Sequence, residues 1–225
     1  MRYLGIIPAR GGSKGIPHKN RKPLCGKPLI LYTIEAAQNS QLEQIIVSTD
    51  DPEIIEIAKS SGVSCIHRPQ ELAQDDTPTL PVLQHALSTL DPSFDAVVTL
   101  QPTSPLRNSK HINEAMALFE LDPKTDSLVS IIDVPHNMTP ESMMTLENGY
   151  LLPINTHSPL RRQDKPQYVA RNGAAIYISK ISCLDKYIWG GNILGYRMSK
   201  IDSIDIDDEQ DWIIAECLLS NKVAT

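Results

Sequence analysis

Short apolar runs alternate with amphipathic segments over the first 130 residues of the chain. The runs with the character of buried strands are Leu4 to Ile7, Ile45 to Val47, Ser64 to Ile66, Ala96 to Leu100 and Ser127 to Ile132. Strands that alternate with helical segments are typical of a parallel sheet with crossover helices. The pattern predicts an α/β fold with a doubly wound, mainly parallel sheet.

Helix signals fill the segments between these strands. Asp51 is placed to cap a helix that Pro52 begins and Gly62 ends. Apolar residues also recur at helical spacing in three other segments, which begin after Pro28, Thr79 and Asn108. These helices would cross over between the strands.

The pattern changes after Ile132, where closely spaced prolines exclude a long helix. Asn148-Gly149 is the preferred pair for a type I′ hairpin turn. We interpret residues 133–172 as an extended β-arm, called the arm below. Residues 1–132 and 173–225 would form one core, which ends in strands at Ala174 to Ile178 and Ile193 to Met198 and in a C-terminal helix.

Composition excludes several classes of protein. The 225 residues include 21 Lys+Arg and 27 Asp+Glu, for a formal charge of -6, so the chain lacks the basic footprint of a nucleic-acid-binding protein. No apolar run approaches the roughly 18 residues that a membrane span needs. Four scattered cysteines without a Cys-x-x-Cys pair and a short apolar N-terminus, with no signal-peptide core, predict a cytoplasmic protein with reduced thiols.

The loop that follows the first strand, residues 8–20, combines glycines with positive charges. These residues are Gly11, Gly12 and Gly15, and Arg10, Lys14 and Lys19. Glycine lets the backbone approach a ligand, and cations at the carboxyl end of a strand favour phosphate. The spacing is neither that of a Walker loop nor that of a dinucleotide fingerprint. A solvated loop with incidental lysines is the alternative, but position and charge favour a polyphosphate site.

Acidic residues near the C-terminus form a second candidate site. If residues 204–207 form a strand, Asp205 and Asp207 share a face about 7 Å apart at Cα. Both carboxylates would then reach one Mg²⁺, which prefers oxygen ligands. Helix capping is the alternative for Asp207 or Asp208, but it does not explain Asp205.

Polar loops follow other strands at the same predicted sheet edge, where α/β proteins bind ligands. They are Thr99 to Arg107, Arg68-Pro69 and Asp75 to Thr77, and each is open to explanation by turn chemistry alone. The end of the arm is basic, with Arg161, Arg162, Lys165 and Arg171. Arginine suits a carboxylate ligand, and a solvated face is the alternative for all of them except Arg171.

Taken together, these motifs resemble the acylneuraminate cytidylyltransferases, the CMP-sialic acid synthetases and their relatives for other nonulosonic acids. The resemblance covers nearly the whole chain. The motifs are Ala9-Arg10 through Asn20, Arg68-Pro69-x-Glu71-Leu72, Leu100 through Arg107, Arg171-Asn172-Gly173-Ala174 and Ser203 through Asp207.

The resemblance implies a nucleotidyltransferase-like fold and transfer of CMP from CTP to the anomeric hydroxyl of a 2-keto-3-deoxy sugar acid, with release of pyrophosphate. It also implies Mg²⁺ as cofactor and a homodimer joined through the arm. The arm would then serve dimerisation and sugar binding, and the core would bind the nucleotide.

The resemblance assigns roles to single residues. Those expected to bind the nucleotide are Arg10, Gly11, Gly12, Ser13, Lys14, Lys19, Asn20, Arg68 and Thr77. Gln101, Arg162 and Arg171 would bind the sugar acid, and Asp205 and Asp207 would bind the metal. Arg10, Lys19 and Asp207 are the predicted catalytic residues. The resemblance assigns no general base, for which a metal-bound hydroxide or Asp207 could serve.

One position departs from the family pattern, since no lysine follows His136-Asn137 in the arm. Legionaminate is therefore the leading candidate acceptor, alongside or in place of N-acetylneuraminate. A CMP-3-deoxy-manno-octulosonate-type synthetase, a glycosyltransferase with an Asp-x-Asp metal site and a non-catalytic nucleotide-binding subunit remain as alternatives. A glycosyltransferase would not need three cations in a triphosphate loop, and a non-catalytic subunit would tolerate loss of the metal acids.

Overall fold

The computed structural model describes residues 1–90, 94–154 and 166–223, and the predicted arm residue Arg162 lies outside them. The strands are β1 Tyr3–Pro8, β2 Pro23–Leu24, β3 Lys27–Pro28, β4 Gln44–Thr49, β5 Ser64–His67, β6 Ala96–Thr99, β7 Ser127–Asp133, β8 Met144–Glu147, β9 Tyr150–Pro153, β10 Val169–Arg171, β11 Tyr177–Lys180 and β12 Ile193–Arg197. The α-helices are α1 Leu29–Gln38, α2 Pro52–Ser60, α3 Thr79–Ser88, α4 Ser109–Glu120 and α5 Glu209–Val223.

Local sequence signals explain where two of the helices begin. The Asp51 side chain accepts hydrogen bonds from the backbone N–H groups of Glu53 and Ile54, and Pro52 occupies the first position of α2. Asn108 and His111 form a reciprocal capping box at the start of α4. Both helices begin where the sequence predicts.

The main sheet is mixed but mainly parallel, as predicted. β5, β4, β1 and β6 are neighbours and run parallel, and β11 then pairs antiparallel with β6. β7 pairs antiparallel with β10 and β11 and parallel with β12. Because β11 and β12 pair with the same residues of β7, they lie on its two opposite edges.

Helices cover both faces of this sheet, which confirms the doubly wound prediction. One large apolar cluster contains Ile34 of α1, Ile54 of α2 and Phe119 of α4. A smaller cluster on the other face contains Leu83 of α3 with Leu4 and other strand residues. Successive strand residues alternate between the two clusters because strand side chains alternate between faces.

A third apolar cluster fixes α5 against the loop after β1. Ile16 of that loop packs with Ile206, Trp212 and Ala215, and all four are buried. The acidic segment at residues 204–207 is thereby held against the glycine-rich loop.

Residues 204–207 themselves do not form the strand that their alternation predicts. The Ile206 N–H bonds to the Thr103 carbonyl at 2.8 Å, but no strand ladder includes the segment. Ile206 is buried and Asp207 exposed, so apolar alternation is present without the neighbouring strand that β-structure needs.

β8 and β9 form a hairpin that pairs with no other strand of the described residues. Asn148 and Gly149 have φ values of 51° and 86°, the left-handed conformations that a type I′ turn requires. Within the predicted arm, β10 belongs to the main sheet, and the division of the chain at residues 133–172 stays a prediction. No helix in the described ranges combines the length and apolarity needed to cross a membrane.

Candidate functional site

A cleft of about 280 Å³ opens at the carboxyl ends of β1, β5 and β6. Nine of the residues predicted from the sequence line it, namely Arg10, Gly12, Ser13, Lys19, Asn20, Arg68, Thr77, Gln101 and Asp207. These residues come from four separate segments of the chain. The fold brings them together because the carboxyl ends of parallel strands meet at one edge of the sheet.

Two cations of the glycine-rich loop share one carboxylate. Arg10 Nη2 lies 2.8 Å from Asp75 Oδ1, and Lys14 Nζ lies 3.6 Å from Asp75 Oδ2. Arg10 also donates a hydrogen bond to the Gln74 carbonyl at 2.8 Å. Asp75 therefore contacts the charges that were predicted to bind phosphate, although Lys14 itself does not line the cleft.

Lys19 links the glycine-rich loop to the acidic segment. Its Nζ donates to the Ile206 carbonyl at 2.5 Å and lies 3.9 Å from Asp207 Oδ1. Burial lowers the pKa of the Lys19 ammonium, and the charges of Asp207 and Asp205 act against that shift. The ammonium is thus partly desolvated between the loop and the acids, where its field is strong.

Arg68 forms a buried wall of the cleft. Its Nη2 donates to the Ser48 carbonyl at 2.7 Å, and its Nε donates to Ser48 Oγ at 3.2 Å. Burial lowers the pKa of the Arg68 guanidinium to about 10, while Asp50 acts in the opposite direction. Arg68 still carries its charge at neutral pH.

The glycines of the loop have different surroundings. Gly11 lies outside the main cleft, and its N–H donates to Asp50 Oδ1 at 2.9 Å. A Cβ atom on Gly12 would meet nothing within 4 Å, whereas one on Gly15 would lie 2.2 Å from the Asp207 carbonyl oxygen. Gly15 therefore permits close packing against the acidic segment, and the backbone at Gly12 is open towards a ligand.

Asn20 stabilises the shape of the same loop. It is buried, and its side-chain Nδ2 donates to the Arg10 carbonyl at 2.9 Å. This bond fixes the backbone from which the Arg10 side chain enters the cleft.

Asp205 and Asp207 are two acids whose charges act on the Lys19 ammonium. Asp205 Oδ1 accepts a hydrogen bond from Ser104 Oγ at 3.5 Å, and Asp207 is 84% exposed at its side chain. Burial raises the pKa of the Asp205 carboxyl and the Asp207 charge adds to the rise, whereas Thr103, Lys19 and Ser104 oppose it. The two acids are close enough to repel each other.

Helix capping does not occupy either of these acids. Asp208 caps α5, because its Oδ1 accepts from the backbone N–H groups of Gln210 and Asp211. The Asp211 side chain in turn accepts from the N–H groups of Asp207 and Asp208. The carboxylates of Asp205 and Asp207 remain available as oxygen ligands.

The donor set at these acids fits a divalent cation. No group of three or more His, Cys, Asp or Glu residues suited to a metal occurs in the described residues. Asp207 lines the cleft and Asp205 lies beside it without lining it. Two neighbouring carboxylates nevertheless suit Mg²⁺, which takes one or two carboxylates together with substrate phosphates.

The predicted sugar-acid residues lie at different distances from the cleft. Gln101 lines it, whereas Arg171 is exposed on β10 and does not. The Arg171 guanidinium lies 4.2 Å from the centre of the Trp189 ring, and its Nη1 donates to the Tyr177 hydroxyl at 3.2 Å. The stacking and the hydrogen bond orient the planar guanidinium.

Asp75, Ser104 and Trp189 are site residues that sequence reasoning did not single out. Asp75 and Ser104 lie in loops for which turn chemistry was the alternative to a ligand contact, and neither residue was assigned a role of its own; Trp189 lies in no recognised motif. Their contacts join segments that are distant in sequence, and the chain carries no local signal for such contacts.

Comparison with known proteins agrees with this geometry. The cytidylyltransferase family model matches residues 4–179. The N-acylneuraminate cytidylyltransferase of Escherichia coli O18:K1:H7 is 36% identical over 225 residues, which are 98% of this chain and 53% of that protein. The chain thus spans about half the length of that relative.

A relative of similar length is the CMP-N,N'-diacetyllegionaminic acid synthase of Legionella pneumophila, 33% identical over 97% of both chains. Two solved structures share the fold. CMP:2-keto-3-deoxy-manno-octonic acid synthetase, complexed with CTP, has a TM-score of 0.77 at 17% identity, covering 99% of this chain and 100% of that one. 4-Diphosphocytidyl-2C-methyl-D-erythritol synthase of Anaerococcus prevotii has 0.68 at 13%, covering 97% and 98%.

Proposed function

Since the chain belongs to the cytidylyltransferase family, we propose that it transfers CMP from CTP to the anomeric hydroxyl of a nonulosonic acid and releases pyrophosphate. The observation that carries this proposal is the cleft, which is lined by the cations Arg10, Lys19 and Arg68 and by the carboxylate of Asp207. The names of the relatives from E. coli and L. pneumophila support the acceptor class.

The cations of the cleft match the needs of phosphoryl transfer. This chemistry asks a protein mainly to position the reactants and to neutralise the negative charge of the phosphates. Arg10 and Lys14 would bind the outer phosphates of CTP after their ion pairs with Asp75 break. Lys19, held between the loop and the acids, would stabilise the charge that develops as pyrophosphate leaves.

Asp205 and Asp207 would hold Mg²⁺. The ion would neutralise phosphate charge beside the leaving group. These two carboxylates have a second effect, because their charge opposes the fall that burial causes in the pKa of Lys19.

Asp207 is also the candidate to accept the proton of the attacking hydroxyl. Only two carboxylates, Asp75 and Asp207, are among the described residues that line the cleft. Asp75 is engaged by Arg10 and Lys14, whereas most of the Asp207 side chain is exposed.

Gln101 and Arg171 would bind the sugar acid. A guanidinium fork can hold the acid's carboxylate through two parallel hydrogen bonds, which an ammonium cannot do. The Trp189 ring stabilises this fork beforehand. Arg162 stays a predicted contact outside the described residues.

We further propose that the enzyme acts as a cytoplasmic homodimer. All four cysteines are free thiols, which fits a reducing compartment. The β8–β9 hairpin exposes large apolar side chains that a second copy would cover, namely Met143, Met144, Leu146, Tyr150, Leu151, Leu152 and Ile154.

The test is pyrophosphate release from CTP in the presence of N-acetylneuraminate, legionaminate, pseudaminate or 3-deoxy-manno-octulosonate. We expect release with at least one nonulosonic acid, and legionaminate is the first candidate because the relative of matching length is named for such an acid. Absence of release with every acid would contradict the proposal. Exclusive use of N-acetylneuraminate would contradict the choice of legionaminate.

The Arg171→Lys variant tests the predicted contact between Arg171 and the sugar acid. Loss of the fork should lower kcat/KM for the sugar acid by roughly 30- to 1000-fold, the effect of about 2 to 4 kcal/mol. Binding of CTP should change little, because most of its predicted ligands line the cleft and Arg171 does not.

A further inference from the structure

We propose that Arg107 is a positioning residue for this reaction, which sets the relative placement of Gln101, the turn after Arg171 and the acidic segment. The role rests on the proposed function. It differs from the roles above because Arg107 does not line the cleft.

Arg107 is a buried cation whose hydrogen-bond partners are all neutral. It is 2% exposed, and its Nη1 donates to the carbonyls of Gln101 at 3.2 Å and Ala175 at 2.8 Å. Its Nη2 donates to Thr33 Oγ1 at 2.6 Å. Its Nε is buried and has no hydrogen-bond partner in the described part of the chain.

Burying the Arg107 guanidinium costs desolvation free energy. A buried charge needs compensation, and an uncharged side chain of similar size would pack without the desolvation penalty. What only the rigid fork of an arginine offers is simultaneous contact with three acceptors on three segments. Those segments are α1, the loop after β6 and the stretch between β10 and β11.

The fork holds the backbone of a predicted substrate ligand. The Gln101 carbonyl accepts from Arg107 and, at 3.4 Å, from Thr33 Oγ1, while the Gln101 N–H donates to the Ala174 carbonyl at 3.2 Å. Both polar groups of the Gln101 backbone are therefore engaged, which fixes the backbone position of this cleft-lining residue.

The same loop holds the metal acids. The Thr103 carbonyl accepts from the Ile206 N–H at 2.8 Å, and Ser104 Oγ donates to Asp205 at 3.5 Å. The Arg107 N–H donates to the Ser104 carbonyl at 3.3 Å, which closes the loop on itself. Arg107 thus anchors one loop that touches the cleft at Gln101 and the acids at Asp205.

The bond to Ala175 extends the connection to the turn after Arg171. A misplacement of about 1 Å between reacting groups can cost on the order of 100-fold in rate. The effect of losing the fork should therefore appear in the use of the sugar acid, whose predicted ligands Gln101 and Arg171 lie on the joined segments.

The experiment compares Arg107→Met, Arg107→Lys and the core variant Phe119→Leu. Phe119 is buried in α4 and has no part in the site, so it controls for stability loss alone. We expect both Arg107 variants to lose about 100-fold in kcat/KM for the sugar acid per folded molecule, with the CTP dissociation constant, measured without Mg²⁺, within about threefold of wild type. Phe119→Leu should keep both constants.

Three results would overturn the role. The first is that all folded variants have the kinetic constants of the wild type. The second is that the Arg107 variants lose CTP binding as strongly as they lose use of the sugar acid. The third is wild-type activity of Arg107→Lys, which restores the charge without the fork. Hydrogen exchange of the free protein gives a second measurement that needs no substrate. Arg107→Met should speed exchange at the Gln101 and Ile176 amides but not at Ile46, and unchanged exchange would overturn the role.

This second measurement also separates two failures. If the wild-type enzyme uses no nonulosonic acid, the proposed function fails. The exchange rates still show whether Arg107 joins the loop at Gln101 to the stretch at Ala175.

Discussion

Asp75 and Asp205 are carboxylates whose surroundings set the charge balance of the cleft. Asp75 compensates Arg10 and Lys14 from the neighbouring loop. Asp205 is held beside Asp207 and under Ser104, in a place where burial raises the pKa of its carboxyl. If the proposed triphosphate site is correct, Asp75 would compete with an incoming phosphate for Arg10 and Lys14. The ionised Asp205 carboxylate, partly buried beside Asp207, would lower the stability of the fold in the absence of a cation.

Replacing Asp75 with asparagine should strengthen nucleotide binding. The variant removes the chain's own anion from Arg10 and Lys14, so CTP no longer competes with it. Partly exposed ion pairs contribute about 0.2 to 1 kcal/mol each, and Asp75 makes two of them, so CTP affinity by calorimetry should rise by roughly two- to thirtyfold. Asp76→Asn is the matched control, because Asp76 is exposed and makes no ion pair in the described residues. Equal affinity in the two variants would show that Asp75 does not compete.

Replacing Asp205 with asparagine should separate stability from activity. The raised pKa means that the folded protein holds the ionised carboxyl less favourably than the unfolded chain does. Without magnesium, the midpoint of thermal unfolding should therefore not fall. Turnover should fall by at least about 100-fold, because a charge at the phosphates is lost.

Asp185→Asn, a change to an exposed acid in the loop after β11, serves as the control and should leave turnover unchanged. Magnesium should raise the unfolding midpoint of the wild type and of this control but not of Asp205→Asn. Near-normal activity of Asp205→Asn at low magnesium would exclude the acid as a metal ligand.

At the scale of elements, the glycine-rich loop and the acidic segment depend on each other for their shape. Lys19 reaches the Ile206 carbonyl, and Ile16 and Ile206 share one apolar cluster. Gly15 permits this approach because it has no Cβ to collide with the Asp207 carbonyl.

Gly15→Ala and Gly12→Ala should therefore differ although they lie three residues apart. An added methyl group at Gly15 must displace the backbone at Asp207. The free energy of unfolding should therefore fall by about 1 to 3 kcal/mol, the usual cost of overpacking. Gly12→Ala should keep wild-type stability, because its Cβ meets nothing within 4 Å. It should weaken CTP binding in calorimetry if the triphosphate approaches the backbone there. Equal stability of the two variants would contradict the close contact at Gly15.

Elements with local signals were predictable from the sequence, and contacts between distant segments were not. Asp51 caps α2 through neighbouring N–H groups, and Asn148-Gly149 adopts its turn through its own φ preferences, so both were confirmed. Residues 204–207 alternate like a strand, but a ladder needs a partner whose position depends on the whole fold. The glycine-rich loop was recognisable as part of a cleft, whereas its contact with Asp75 spans 65 residues of chain and has no sequence signal.

At the scale of the molecule, the β8–β9 hairpin is the part whose surface is least explained by a single chain. An isolated two-stranded hairpin is marginally stable in water. Leu146 and Leu151 face each other across it and are 71% and 64% exposed. Exposed leucines at a hairpin that pairs with nothing else described fit a surface that a second copy covers.

The double variant Leu146→Ser/Leu151→Ser should therefore shift the protein towards single chains. We expect sedimentation of the wild type to give about twice the chain mass of 24.9 kDa, and of the variant a mass that falls towards 24.9 kDa on dilution. Ile213→Ser/Ile214→Ser in α5 removes two comparably exposed apolar side chains elsewhere and should leave the wild-type mass unchanged. Turnover should weaken only in the hairpin variant, because the arm is expected to contribute to the acceptor site. A wild-type mass of one chain at every concentration would rule out the homodimer, and an equal shift in both double variants would place the contact outside the hairpin.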